Sequence, residues 1–203
     1  MKSKILLKRK LLIVILSILF LSLITLLYFN LRNSTHGSSM SISEQGKINI
    51  LADQSSFGLP VRLKIPKISV NATVEYVGLT PDKAMDVPQG PDNVAWFYLG
   101  PRPGENGTAV IDGHFGWKNK IPAVFDDLYK LQKGDKIFVE DEKGITTTFI
   151  VRESRKYDSN ADASNVFISN DGLSHLNLIS CTGVWNPIEK SRANRLVVFA
   201  DKE

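Results

Sequence analysis

The chain has 203 residues, a formal net charge of +4 and a single cysteine, so it holds neither an internal disulfide nor a zinc site built on paired thiolates. The first ten residues carry five of the 25 Lys and Arg residues, and beyond residue 30 twenty basic side chains stand against 21 acidic ones. The positive charge therefore belongs to the N-terminus and does not indicate a nucleic-acid-binding surface, so no nucleic-acid partner is expected.

The N-terminal residues predict a membrane anchor. Residues 1–10 are basic, and residues 11–29 contain no charged side chain. A helix over 11–29 would extend about 28 Å, close to the roughly 30 Å hydrocarbon core of a bilayer. A cleaved signal peptide would have a shorter apolar run and a small-residue cleavage site, so we favour an uncleaved, single-pass anchor in the cell membrane. Because the basic residues precede the helix, we expect a cytoplasmic N-terminus and an extracytoplasmic C-terminal part.

Residues 30–58 predict a flexible linker, because they are rich in Ser and Gly and poor in residues that form a core. The segment 59–203 has the length and apolar content of one domain. Five short runs in it are β-branched, aromatic or alternating and bounded by Gly, Asp or Asn: 61–65, 136–140, 146–153, 176–180 and 195–200.

Two further signals bear on the fold class of this domain. The sequence D-E-K-G at 141–144 is typical of a hairpin turn, and only residues 122–131 have helical spacing. Many short strands with few helices predict a mainly β domain, either a sandwich or a closed barrel.

The single cysteine, Cys181, follows the run 176–180, where we expect a strand to end. A lone cysteine is either a small buried apolar residue or a reactive thiol. A free thiol in an exported domain is open to oxidation, which favours the reactive alternative. The sequence contains no phosphate-binding loop, dinucleotide-binding glycine motif or H-E-x-x-H motif, and we predict neither a cofactor nor a metal.

A reactive thiol needs a neighbour that takes and returns its proton, most often an imidazole. The chain has three histidines, and His36 falls in the predicted linker. His175 is six residues from Cys181, which is about 20 Å along one continuous strand, so we expect it to be a structural polar residue. His114 follows an apolar run and Gly113, at a rim where it is either the proton carrier or a structural donor.

Attack on an amide also requires a donor to the oxyanion, and two arginines precede the last apolar run. Arginines at the start of a strand are usually solvated, but an antiparallel neighbour could bring one of them beside Cys181. Strand parity places Arg195 on the face of Val197 and Phe199, whereas Arg192 falls in a polar stretch that we expect to be a loop.

These residues, in this order behind an anchor, resemble the sortases, the membrane-anchored cysteine transpeptidases of Gram-positive bacteria. The resemblance covers about residues 60–202. The T-L-x-T-C signature of the family appears as N-L-I-S-C at 177–181, its G-H pair at 113–114, and its arginine at Arg195. The stretches 65–79, 85–114 and 121–139 look most like class F, with classes D and E as alternates.

The resemblance implies an eight-stranded β-barrel with short helices behind one transmembrane helix. It implies that Cys181 is the nucleophile, His114 the general acid and base, and Arg195 the group that stabilises substrate and oxyanion. Asn177 and Ser180 stand where the family usually has threonine, and Ser180 retains a hydroxyl.

The implied reaction is cleavage of an LPXTG-type sorting signal between Thr and Gly through a thioester. The acyl group would then pass to an amine of a peptidoglycan precursor, or to a pilin lysine in a pilin-polymerising sortase. A cysteine endopeptidase that only hydrolyses and an inactive wall-associated binding module are the other hypotheses.

Overall fold

A computed structural model describes residues 57–158, 161–186 and 191–203. The predicted segments 1–10 and 11–29, and all but the end of the predicted linker 30–58, lie outside the described residues. Within the part of the chain that is described, no helix combines the length and the hydrophobicity needed to cross a membrane.

Eight strands form the domain. They are β1 (Pro60–Ile65), β2 (Val70–Val77), β3 (Val94–Phe97), β4 (Gly107–Gly113), β5 (Lys136–Asp141), β6 (Thr146–Asp158), β7 (Ser174–Asn186) and β8 (Ser191–Lys202). Four 3-10 helices of one turn each lie at Pro66–Ile68, Lys118–Lys120, Leu128–Lys130 and Ser164–Val166.

The strands close into a barrel in the order β1-β2-β3-β4-β7-β8-β6-β5, with β5 returning to β1. Two neighbouring pairs are parallel, β2 with β3 and β4 with β7, and the other pairs are antiparallel. The β4–β7 pair joins strands that are more than sixty residues apart in sequence, and so brings the end of β4 beside the second half of β7. The expectation of a mainly β, eight-stranded barrel is confirmed.

Alternation along the strands separates an interior from an outer face. On β8, Leu196, Val198 and Ala200 enter the main core inside the barrel. The alternate residues Val197 and Phe199 pack instead in a second cluster with Val166 from the last 3-10 helix. The loop between β6 and β7 therefore covers part of the outer face of β8.

The five predicted strands all exist, but two sequence expectations about local structure are wrong. Residues 122–131 form turns and the single 3-10 turn Leu128–Lys130, since Phe125 and Leu128 are buried as isolated anchors of a loop. The strand that carries Cys181 does not end there; β7 continues to Asn186 because β8 pairs with it across a bulge between Thr182 and Trp185.

Candidate active site

Cys181 lies in the second half of β7, with its side chain on the outer face of the barrel. Its direct partner across the antiparallel β7–β8 ladder is Arg195. Ile179, two residues earlier on the same face, pairs with Asp112 across the parallel β4–β7 ladder. The thiol is partly exposed. The register therefore places a guanidinium on one side of the thiol and the end of β4 on the other.

His114 immediately follows the end of β4. Its Nε2 lies 2.9 Å from the carbonyl oxygen of Pro88, and its ring centroid lies 4.7 Å from that of Trp117. A carbonyl oxygen only accepts hydrogen bonds, so Nε2 carries a proton and Nδ1 is the nitrogen that remains to exchange one. The backbone carbonyl of His114 accepts a hydrogen bond from the Phe125 N–H at 3.0 Å. The histidine is thus fixed through both its ring and its backbone.

A hydrogen bond ties the strand of the thiol to the strand of the imidazole. Ser180, buried next to Cys181, donates its hydroxyl to the carbonyl oxygen of Gly113 at 2.7 Å. The serine that stands in place of the usual threonine therefore fixes the residue that precedes His114.

Position 113 needs a glycine because a neighbouring ring leaves no space for a side chain, not because of its backbone angles. A Cβ at this position would lie 2.4 Å from the ring of Phe125, a fully buried core residue. Backbone freedom is not the reason for this glycine, because the residue has no positive φ.

The side chain of Arg195 is held by backbone carbonyls near the start of β8, its own strand. Its Nη1 donates to the carbonyl oxygens of Arg192 at 3.0 Å and Asn194 at 3.2 Å. Among the described residues, no hydrogen bond engages Nε or Nη2. The guanidinium is therefore oriented by the backbone and still has donors for a ligand.

Arg192 lies inside β8, not in a loop as the sequence suggested. Its Nη1 donates to the carbonyl oxygen of Gly183 at 2.7 Å, and its guanidinium stacks 4.7 Å from the ring centroid of Phe115. Phe115 directly follows His114. Arg192 thus links the β7–β8 end of the barrel to the segment that bears the imidazole.

One cavity of about 550 Å³ contains all three predicted catalytic residues in its wall: His114, Cys181 and Arg195. Its floor is apolar, with Ile179, Val197 and Phe167 among the lining residues. A concave, largely apolar cavity with a few converging polar groups is typical of a ligand-binding or active site.

The ionisation of the thiol is set by opposing influences. Burial raises the pKa of Cys181, the positive charge of Arg195 lowers it, and the negative charge of Asp112 raises it. The thiolate is therefore a minor form at neutral pH, and attack on a substrate depends on proton transfer as well as on the guanidinium.

Sequence reasoning missed Asp112, which also lines the cavity. Burial raises its pKa to about 7, against the opposing effect of Arg195 and of the Gly113 N–H. The signal was present in the sequence, since the acid stands two residues before His114 and so shares its face of β4.

His175 and Asn177 lie on β7 away from the catalytic cavity. The Nδ1 of His175 lies 2.7 Å from Asp201 and its Nε2 lies 2.9 Å from Asp171, so the ring serves as a structural link. Asn177, which replaces the usual threonine, donates to the carbonyl oxygen of Val166 at 2.6 Å. Among described residues, no group of His, Cys, Asp and Glu is arranged to hold a metal ion.

Comparisons with known proteins agree with this geometry. A family model described as "Sortase domain" matches residues 63–203. No curated protein sequence matches the chain.

Three solved structures illustrate the likeness in fold. A lid mutant of sortase A from Corynebacterium diphtheriae is 19% identical with a TM-score of 0.56, covering 81% of this chain and 82% of that one. Sortase D5 from Clostridium perfringens is 24% identical with a TM-score of 0.53, covering 80% and 90%. A pilus-related sortase C of Group B Streptococcus is 19% identical with a TM-score of 0.54, covering 83% and 76%.

Proposed function

Because the chain belongs to the sortase family and is a cysteine transpeptidase, we propose that it cleaves an LPXTG-type sorting signal between Thr and Gly and transfers the acyl group to a cell-wall amine. The single observation that carries the proposal is the register that faces Cys181 with Arg195, in one cavity with His114. We further propose that the enzyme belongs to class F, on the sequence stretches described above.

The first half of the proposed reaction forms a thioester. His114 takes the proton of the Cys181 thiol, and the thiolate attacks the carbonyl carbon of the Thr–Gly bond. The carbonyl oxygen becomes an oxyanion stabilised by the free N–H groups of Arg195. The C–N bond then breaks as His114 gives a proton to the departing amine.

The second half returns the enzyme to its starting state. The incoming amine attacks the thioester, His114 accepts the amine proton, and the C–S bond breaks to release the Cys181 thiolate. Thioesters react readily with amines, so transfer competes with hydrolysis where amines are displayed nearby. An anchor in the membrane would hold the enzyme where both substrates are tethered and raise their effective concentration.

The test is mass spectrometry of the purified full-length protein with an LPXTG-type peptide and candidate amines. We expect an acyl-enzyme on Cys181 and a new amide product when the amine is added. Hydrolysed peptide alone, with every amine tried, would support an endopeptidase instead.

The Cys181→Ala variant is the matched control for this experiment. Replacing a thiol by a methyl group leaves at most a small cavity, so the loss of stability should be about 1 kcal/mol or less. Turnover should disappear, since the chain has no other thiol. Residual turnover in this variant would place the nucleophile elsewhere.

A second candidate acceptor is a pilin lysine. The observation that favours it is the likeness to a sortase described as pilus-related. A lysine-containing pilin-derived peptide, offered in competition with a peptidoglycan-type amine, distinguishes the two acceptors by the mass of the product.

A further inference from the structure

The catalytic cavity contains an ionisable carboxyl that the reaction described above does not use. Asp112 is the last residue but one of β4 and lies on the cavity wall. The other groups of this wall that titrate or carry charge are Lys83, His114, Tyr157, Asp158, Cys181 and Arg195. Arg192 of β8 lies outside the wall, but its positive charge also lowers the pKa of the Cys181 thiol.

The strand register places Asp112 close to the reacting thiol. Asp112 pairs with Ile179, and Cys181 is the next residue of β7 on that face, about 7 Å further along the strand. Arg195 lies directly across from Cys181 on β8. Neighbouring strands are about 4.8 Å apart, so the carboxyl, the thiol and the guanidinium occupy three adjacent strands within one patch.

The charges in this patch influence one another. Arg195 lowers the pKa of Asp112 and that of Cys181, while the charge of Asp112 raises the pKa of Cys181. Burial is the largest influence on both acids, and it raises each pKa. Two acids that share one cation lose their protons in linked steps, because the first negative charge opposes the second.

We propose that Asp112 is a positioning residue whose charge controls how readily the Cys181 thiol ionises and how much of the positive charge of Arg195 remains for the thiolate and the oxyanion. This inference rests on the proposed function of the site. With Asp112 neutral, Arg195 is available to the thiolate and to the oxyanion that forms at the substrate carbonyl. With Asp112 ionised, its negative charge partly offsets the positive charge of the guanidinium, and the neighbouring anion opposes formation of the thiolate.

The pH range of this effect follows from the pKa of the Asp112 carboxyl. Since the pKa of Asp112 is about 7, its charge appears as the pH rises through neutrality. The neutral form below that pH is the productive one, so the turnover number of the wild-type enzyme relative to that of Asp112→Asn should fall as the pH rises through neutrality.

The test is the pH dependence of alkylation of Cys181 by iodoacetamide in the full-length protein. The chain has one cysteine, so the rate reports that thiolate alone, and no peptide substrate is needed. Asp112→Asn, which mimics the neutral carboxyl, should shift the midpoint to lower pH. It should also speed alkylation at pH 7 by about 3- to 10-fold, since one pKa unit changes the thiolate fraction about tenfold.

The matched control is Asp158→Asn, which removes the other carboxyl of the cavity wall. It should leave the midpoint at the wild-type value. A midpoint that is unchanged in Asp112→Asn, or moved equally by Asp158→Asn, would overturn the proposal. Thermal unfolding checks that each variant is folded. If Asp112→Asn does not fold, Asp112→Ser replaces it as the variant with a neutral side chain at this position.

Peptide turnover provides the second measurement. The ratio of wild-type to Asp112→Asn turnover should fall as the pH rises through about 7. A ratio that does not change with pH would overturn the assignment. If the wild-type protein turns over no LPXTG-type peptide, the proposed function fails, while the alkylation experiment still decides the role of Asp112.

Discussion

Arg195 enters the catalytic cavity already held by two backbone carbonyls, which is the condition for electrostatic catalysis. A donor that must reorganise in the transition state loses much of its effect. The contacts to the carbonyls of Arg192 and Asn194 fix the guanidinium before substrate arrives. Arg192 is held too, but its contacts are to Gly183 and Phe115.

We therefore expect Arg195→Ala to lower kcat/KM by about 10² to 10³, or roughly 3 to 4 kcal/mol. Arg195→Lys should restore only part of this loss, because an ammonium cannot both contact the carbonyls and present forked donors. Arg192→Ala should cost about tenfold or less, since it loosens the segment after His114 but leaves Arg195, the residue directly opposite the thiol, in place. Steady-state kinetics of the three variants with one peptide and one amine decide between the two arginines. A greater loss of kcat/KM in Arg192→Ala than in Arg195→Ala would assign the oxyanion donor to Arg192.

Asp112 also predicts a pH dependence of stability. Its pKa of about 7 in the folded protein is above the value of about 3.9 expected in the unfolded chain. Between these values the folded state binds more protons, so the free energy of unfolding falls as the pH rises. Asp112→Asn removes this loss and should gain stability relative to wild type between pH 5 and 8, by up to about 4 kcal/mol. Urea unfolding of both proteins at pH 5 and at pH 8 measures this gain. A difference in the free energy of unfolding that is the same at both pH values would contradict the prediction.

At the scale of elements, the site depends on the junction where β4 runs beside β7. Ser180 of β7 bonds the carbonyl of Gly113, and the ring of Phe125 fills the space that a side chain at Gly113 would need. The two strands and the loop after β4 are thus packed as one unit at the end that carries His114.

This packing predicts that Gly113→Ala damages both stability and catalysis. The added methyl group would displace the Phe125 ring or the β4 backbone, at a cost of about 1–3 kcal/mol. The shift would be passed to His114, so kcat should fall while the thiol stays reactive to iodoacetamide. Thermal unfolding and kinetics measure the two effects.

Gly100→Ala is the comparison for this substitution. A Cβ there would meet its nearest neighbours at 3.6 Å, an ordinary contact distance, and the residue has no positive φ. We expect it to change stability by about 0.5 kcal/mol or less. If Gly113→Ala behaved like Gly100→Ala, the packing argument would be wrong.

At the scale of the whole molecule, closure of the barrel makes the site. The order β4-β7-β8 brings together Cys181 of β7, Arg195 of β8 and His114, which follows β4, and the closing pair β5–β1 leaves these eight strands without a free edge. Because the parallel β4–β7 pair joins distant parts of the chain, folding must close a long loop before these three residues meet.

The N-terminal residues predict where the enzyme works. We propose a single-pass membrane protein with residues 1–10 in the cytoplasm and the barrel outside, on the basis of five basic residues before the uncharged run 11–29. Protease added to intact protoplasts should remove the barrel and spare the N-terminus, as read by antibodies to tags at the two ends. Recovery of an N-terminally trimmed, soluble protein from the medium would contradict an uncleaved anchor.

The sequence by itself determined those features that local patterns encode. Alternating apolar residues predicted five strands, because a strand with one buried face repeats every second residue. The lone thiol of Cys181 in a chain predicted to be exported, with His114 after an apolar run, indicated a nucleophile and its base, and the family resemblance selected Arg195.

Only the tertiary structure decided how these residues meet. β7 extends beyond Cys181, and Arg192 lies inside β8, because the two strands pair with each other there. Neither segment shows an apolar–polar alternation of its own that would predict a strand. The need for glycine at position 113 comes from the ring of Phe125, twelve residues later. The influence of Asp112 on the thiol exists only because β4 and β7 are neighbours, since electrostatic effects depend on distance in space and on burial.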